Sequence, residues 1–185
     1  MTMDGSRWIL IAIAGVALLV FWSLGAYNRL VGLRSAIVAA FAQIDEQLRR
    51  RQALLQGLLE GLRADLPSEQ VTLDAVAAAA QQVQACAEAA RTRACVAAPV
   101  NQLGAQEGQL AAALTRLHSL VEQHAELRER EDISPRVAEL RDVDLRLGFA
   151  RQLFNEASMQ YNRAVQQFPT RLLIAMFRFG EAGRL

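Results

Sequence analysis

From Trp8 to Asn28 no residue carries a charge, and Trp8–Leu24 is almost wholly apolar. About 20 such residues in a helix match a hydrocarbon core of roughly 30 Å. Trp8, Trp22 and Tyr27 stand near the ends of the run, where amphipathic rings settle at a membrane interface. The rival is a cleavable signal peptide, for which Ser23-Leu24-Gly25 offers small residues at a cleavage spacing. The apolar run is long for that, and Phe21 and Trp22 crowd the site. The run therefore reads as a transmembrane helix over residues 8–28 behind a short segment 1–7. Arg7 precedes the span while Arg29 and Arg34 follow it. By the positive-inside rule the N-terminus lies outside and the rest of the chain on the cytoplasmic side of the cell (inner) membrane, as a single-pass protein.

The rest of the chain has to fold around one core, since 185 residues suit one domain. Twenty basic against 19 acidic residues leave a net charge of +1, so no overall field draws nucleic acid. All 20 basic residues are Arg, which excludes a Lys nucleophile, a Schiff base and a P-loop Lys. Cys86 and Cys95 are nine residues apart, about 13 Å along one helix, beyond the roughly 7 Å a disulfide spans. They read as buried free thiols.

Steps of three and four recur after the span. Leu30, Leu33, Ile37, Phe41, Ile44, Leu48, Leu55, Leu58 and Leu62 form one stripe, with Arg51 in its gap. Asp65, Pro67 and Ser68 end it. A second helix carries a face of small residues, Ala80, Ala87, Ala90 and Ala94 among Leu73, Val76 and Val83. Ala97–Asn101 reads as a break with Asn101 as N-cap, and Ser134-Pro135 as cap and first helical residue. The third helix holds Leu103, Leu110, Leu114, Leu117, Val121 and His124, and the fourth runs Leu140, Val143, Leu147, Ala150, Phe154, Ala157, Tyr161, Val165 and Phe168. No run alternates with period two. The expected fold is all-α: an N-terminal transmembrane helix, then an antiparallel up-down four-helix bundle over residues 29–169, then a short C-terminal amphipathic helix in the tail 170–185. The bundle helices are predicted at about 29–64, 69–95, 101–127 and 135–168.

Parity brings the fourth helix back to the membrane, where the tail Arg171–Phe179 forms an interfacial helix or caps the bundle. In an antiparallel register that sets Leu30 near Phe168 and Leu62 near Arg136, Arg51 faces Asp144, while Asp45 and Gln47 point towards Arg151 and Asn155. These six residues are predicted to form a polar layer between helices. On the surface of the first helix, Asp45 pairs with Arg49 and Glu46 with Arg50 at i,i+4. The pattern Tyr-Asn-Arg-x-Val occurs at Tyr27–Val31 and again at Tyr161–Val165. Tyr27, Asn28, Tyr161 and Asn162, with Arg171 and Arg178 of the tail, are the candidate membrane-proximal contacts.

Two blocks carry a resemblance. The first is Tyr27-Asn28-Arg29-Leu30-Val31 followed by Ile44-Asp45-Glu46-Gln47-Leu48-Arg49-Arg50-Arg51. The second is Ala150-Arg151-Gln152-Leu153-Phe154-Asn155, then Tyr161-Asn162 and Phe168-Pro169. In order, spacing and placement after an anchor, the chain resembles the LemA family of bacterial membrane-anchored helical proteins. It departs from the family at Gln56-Gly57, where a Pro-Asn pair is usual. The resemblance implies a single-pass protein with a bundle domain and implies no catalytic mechanism.

Chemistry-bearing motifs are missing from the sequence. His118 and His124 are six residues apart and point to different faces of one helix. No Glu-x-x-His, His-Glu-x-x-His, Cys-x-x-Cys, Walker or Gly-x-Gly-x-x-Gly pattern occurs. The expected protein is not an enzyme and uses no cofactor, metal or small-molecule substrate. It is a scaffold or interaction module that meets lipid through residues 8–28 and binds a protein, with self-association as one form. The alternative is a lipid-contacting or membrane-remodelling protein that uses both anchor and tail.

Overall fold

Between Trp8 and Arg63 the sequence contains no proline, so nothing forces a helix to stop where the apolar run ends. The computed structural model, which describes residues 3–128, 130–167 and 180–185, carries one helix, α1, through Met3–Arg63. At 1.5 Å per residue it is roughly 90 Å long. The span and the first bundle helix, separate units in the sequence reading, are one continuous element. Its first part is long and apolar enough to cross a membrane, and none of its apolar window is buried within the structure.

Proline ends α1 from outside. Leu66, just before Pro67, is turned out of the helical region at φ −119° and ψ 62°. The carbonyls left open at the helix end are met by the Gln70 side chain, which donates to Arg63 O at 3.0 Å and Leu66 O at 3.3 Å. A 3-10 turn over Pro67–Glu69 leads into α2, Gln70–Arg91. This helix stops short of the predicted Cys95, because Arg93 N and Val96 N bond back to Ala90 O and Arg93 O in successive tight turns. Cys86 and Cys95 are both free and buried.

Pro99 and Pro135 act differently. Pro99 lies in the first turn of α3, Ala97–Gln123, where an amide N–H would have no partner within the helix. The break expected at 97–101 therefore does not form, and Asn101 sits inside the helix instead of capping it; Val96, with an extended backbone, holds the cap position. A single turn, α4, follows at Ala125–Arg128. α5 spans Ser134–Gln166 with Pro135 in its first turn and Ile133 at the cap, one residue earlier than expected.

Long-range packing is of α1 on α5, α1 on α2 and α2 on α3. Rising numbers on α1 meet falling numbers on α5. Phe41 lies edge-on to Phe154 at 5.9 Å, Arg51 reaches Asp144, and Arg136 Nη1 donates to Gly57 O at 2.6 Å. A Cβ at residue 57 would stand 3.4 Å from that guanidinium, so glycine lets Arg136 lie against the backbone. The buried face of α2 is mostly Ala and Val, which lets it approach its neighbours closely. Among the described residues all regular structure is helical. Gly180–Leu185 is not helical and returns along α5, and the amphipathic helix expected in Arg171–Phe179 lies outside the described residues.

Phe154 has no exposed surface and anchors the α1–α5 seam. Phe154→Ala is expected to cost about 3–5 kcal/mol, read as a lower urea midpoint for the full chain in detergent. Phe41→Ala combined with it should cost less than the sum of the two single changes, because the ring pair is lost only once.

Candidate functional site: a buried charge layer and a clamped tail

Arg51 occupies a leucine position on the inner stripe of α1 and is only 6% exposed. A guanidinium there needs opposite charge within bonding distance, since an isolated buried ion is too costly. The partner is Glu107, 5% exposed, which fills the missing step between Leu103 and Leu110 on the stripe of α3. One carboxylate oxygen, Oε1, accepts from Arg51 and the other, Oε2, accepts from Arg151 of α5. Arg51 also donates through Nη1 to Asp144 Oδ1 at 3.3 Å. The order Asp144–Arg51–Glu107–Arg151 joins three helices and sums to zero formal charge.

Beside this layer, between α3 and α5, lies a cavity of about 270 Å³ onto which the four charged residues, Thr115 and His118 face. The His118 Nε2 is buried without a hydrogen-bond partner. Burial pushes the His118 pKa down; Arg141 acts in the same direction, and Asp144 and Glu122 oppose it. The Thr115 hydroxyl is committed to Ala111 O at 3.0 Å. Among the described residues no group of three His, Cys, Asp or Glu side chains is placed to hold a metal.

The other three residues of the predicted layer sit elsewhere. Asp45 precedes Arg51 by six residues, about 120° away around the helix, and faces the end of α2. There it accepts from Arg91 Nε at 3.0 Å and Nη2 at 2.8 Å, and pairs with Arg49 at 3.0 Å. Gln47 is half-buried with Oε1 unpartnered. Arg50 reaches across to Glu139 at 2.5 Å, while Glu46 acts on it only as a nearby charge.

Asn155 belongs to a second construction. Its Nδ2 donates to Leu185 O at 2.6 Å and its Oδ1 accepts from Leu185 N at 2.9 Å. Asn162 repeats the arrangement on Ala182, at 3.0 Å and 2.8 Å. The Tyr161 hydroxyl donates to Gly180 O at 3.1 Å, and Asn101 of α3 accepts from Arg184 N at 3.2 Å. Burial pushes the Tyr161 phenol up and keeps it a donor. Tyr161 and Asn162 therefore hold the tail inside the fold, whereas Tyr27 and Asn28 of the matching pattern are exposed on α1. Arg171 and Arg178 lie outside the described residues.

The model of the LemA family matches residues 40–184, a range that includes the charge layer and the clamping side chains Asn101, Asn155, Tyr161 and Asn162. No curated protein matches the chain.

Two outcomes follow from the layer. Glu107→Leu leaves buried Arg51 with only Asp144 and takes Arg151, a third exposed, off its carboxylate; it should cost about 3 kcal/mol in equilibrium unfolding, most of it recovered when Arg51→Leu and Arg151→Leu are added. For His118, the folded pKa lies below 6.5, so at pH values beneath 6.5 the unfolded chain takes up a proton that the folded chain refuses. Stability should fall as pH drops through 6.5 and level off below the folded pKa. His118→Gln should flatten the profile where it falls below pH 6.5.

Proposed function

The chain belongs to the LemA family, and we propose that it is a membrane-anchored helical bundle that works by binding a protein partner, not by catalysis. The anchor is the first part of α1, whose Trp8, Leu18 and Phe21 are 71–74% exposed and need hydrocarbon to cover them. Because α1 is unbroken, the anchor and the bundle are one rigid element. The helices close as an antiparallel up-down bundle, with the domain on the cytoplasmic side of the inner membrane by the arginine count around the span.

The observation that carries the binding role is on α5. Leu145, Phe149 and Leu153, at steps of four, are 67%, 67% and 51% exposed on the side opposite Leu147, Ala150 and Phe154. Three large apolar side chains in one exposed row are the anchors a partner surface takes. The buried charges supply no comparable argument for catalysis: Arg51, Glu107 and Arg151 are committed to one another.

A photo-crosslinking residue at Phe149, in cells carrying the full chain, tests this. A discrete protein adduct is expected, including one of twice the chain mass if the partner is a second copy. A probe at exposed Gln81 of α2, away from this row, should give much less. Lipid adducts alone, or equal labelling from both positions, would overturn the protein-binding role.

A further inference from the structure

Each residue of an extended peptide presents one N–H and one C=O, and a single carboxamide side chain meets both. Asn155 and Asn162 are seven residues apart on α5, about 10.5 Å along its axis. Ala182 and Leu185 are three residues apart, about 10 Å in an extended chain. The two spacings agree, and both double grips are made, on Leu185 and on Ala182. Tyr161 and Asn101 add one backbone bond each. Four side chains from two helices thus read a peptide backbone.

Side-chain selection enters at two places. A Cβ on Gly183 would stand 2.8 Å from Val100 Cβ and from Asn101 Oδ1, and 2.9 Å from Ala97 O, a helix backbone atom that cannot give way. Leu185 packs its side chain over Gly104 and the edge of the core. The cleft between α3 and α5 therefore selects glycine at position 183 and seats leucine at position 185.

We propose that this cleft is a peptide-binding site that accepts residues 180–185 of a second copy of the chain as well as its own. Everything the cleft reads is contained in that segment, so a neighbour's copy makes the same bonds, and reciprocal exchange closes a two-fold dimer. The twelve residues between Gln167 and Gly180 give up to about 40 Å of covalent reach. The exchange does not depend on the exposed α5 row or on the anchor.

The test uses two full-length variants with different tags in detergent. Gly183→Val excludes its own segment while leaving the cleft side chains in place. Asn155→Ala with Asn162→Ala disables the cleft while leaving the segment intact. Mixed together, they should co-purify about tenfold more than either does with its own differently tagged copy, and excess acetylated peptide Gly-Glu-Ala-Gly-Arg-Leu should release them. No preferential pairing, or pairing that the peptide leaves unchanged, would overturn the proposal. The wild-type chain gives an independent reading, free of any folding defect in the variants. It should bind the fluorescent hexapeptide about tenfold more tightly than the same peptide with valine in place of its second glycine. Equal binding of the two peptides, or none, would equally overturn it.

Discussion

A charge cannot be buried alone, and in this protein that constraint is met by one carboxylate. Glu107 lies between Arg51 and Arg151, so three helices that pack unequally are tied at one level. α1 has extensive contact with α5 and α2, and α3 leans mainly on α2. α3 and α5 are joined largely by side chains, Glu107 to Arg151 and Glu122 to Arg141. If either helix slid by one turn, about 5.4 Å, an arginine would be left without its partner in an apolar layer. The layer thus sets register through what misalignment would cost, and its net contribution to stability can be small.

The same opening between α3 and α5 explains the clamp. Where two helices do not close directly on each other, the gap has to be filled by something whose backbone polar groups are satisfied. Lower down, the ion pairs and the His118 cavity occupy it. Towards the end of α5 the returning segment does, with its amides taken by Asn155, Asn162 and Asn101. An asparagine pair two helical turns apart can grip two residues three apart in the returning segment, because seven helical rises of about 1.5 Å come close to three strand-like rises of about 3.3 Å.

Much of this was legible in the sequence, and what was not has physical causes. Steps of three and four located four long helices, because each helix buries one face. Arg51 stood out as a charge on a leucine stripe, and its approach to Asp144 follows from pairing α1 against α5 in opposite directions. Glu107 left a readable trace too, as the missing step between Leu103 and Leu110. Its claim on Arg151 left none, since that depends on where α3 lies relative to α5. The three prolines of the helix joints were equally ambiguous. Pro67 follows a helix end, whereas Pro99 and Pro135 sit within first turns. Pro lacks an N–H in each case, and only the preceding backbone decides which use is made of it. Gly180–Leu185 has no periodicity to read, so the role of Asn155 and Asn162 as its holders appears only once the chain is folded.

The continuity of α1 links these parts. A helix that runs from the apolar segment into the core without a proline or a turn has no joint at which the bundle can swing. The buried stripe begins at Leu30, within one turn of the end of the uncharged run. Any tilt of the apolar segment is therefore carried into the α1–α5 seam, through Phe41 on Phe154 and then Arg51 on Asp144 and Glu107. The tail is clamped to that same α5, so the segment that returns from the end of the bundle is tied to the element packed most closely against α1. Apolar segment, seam and clamp form one path of contacts, and the charge layer is the point on it where α3 is connected.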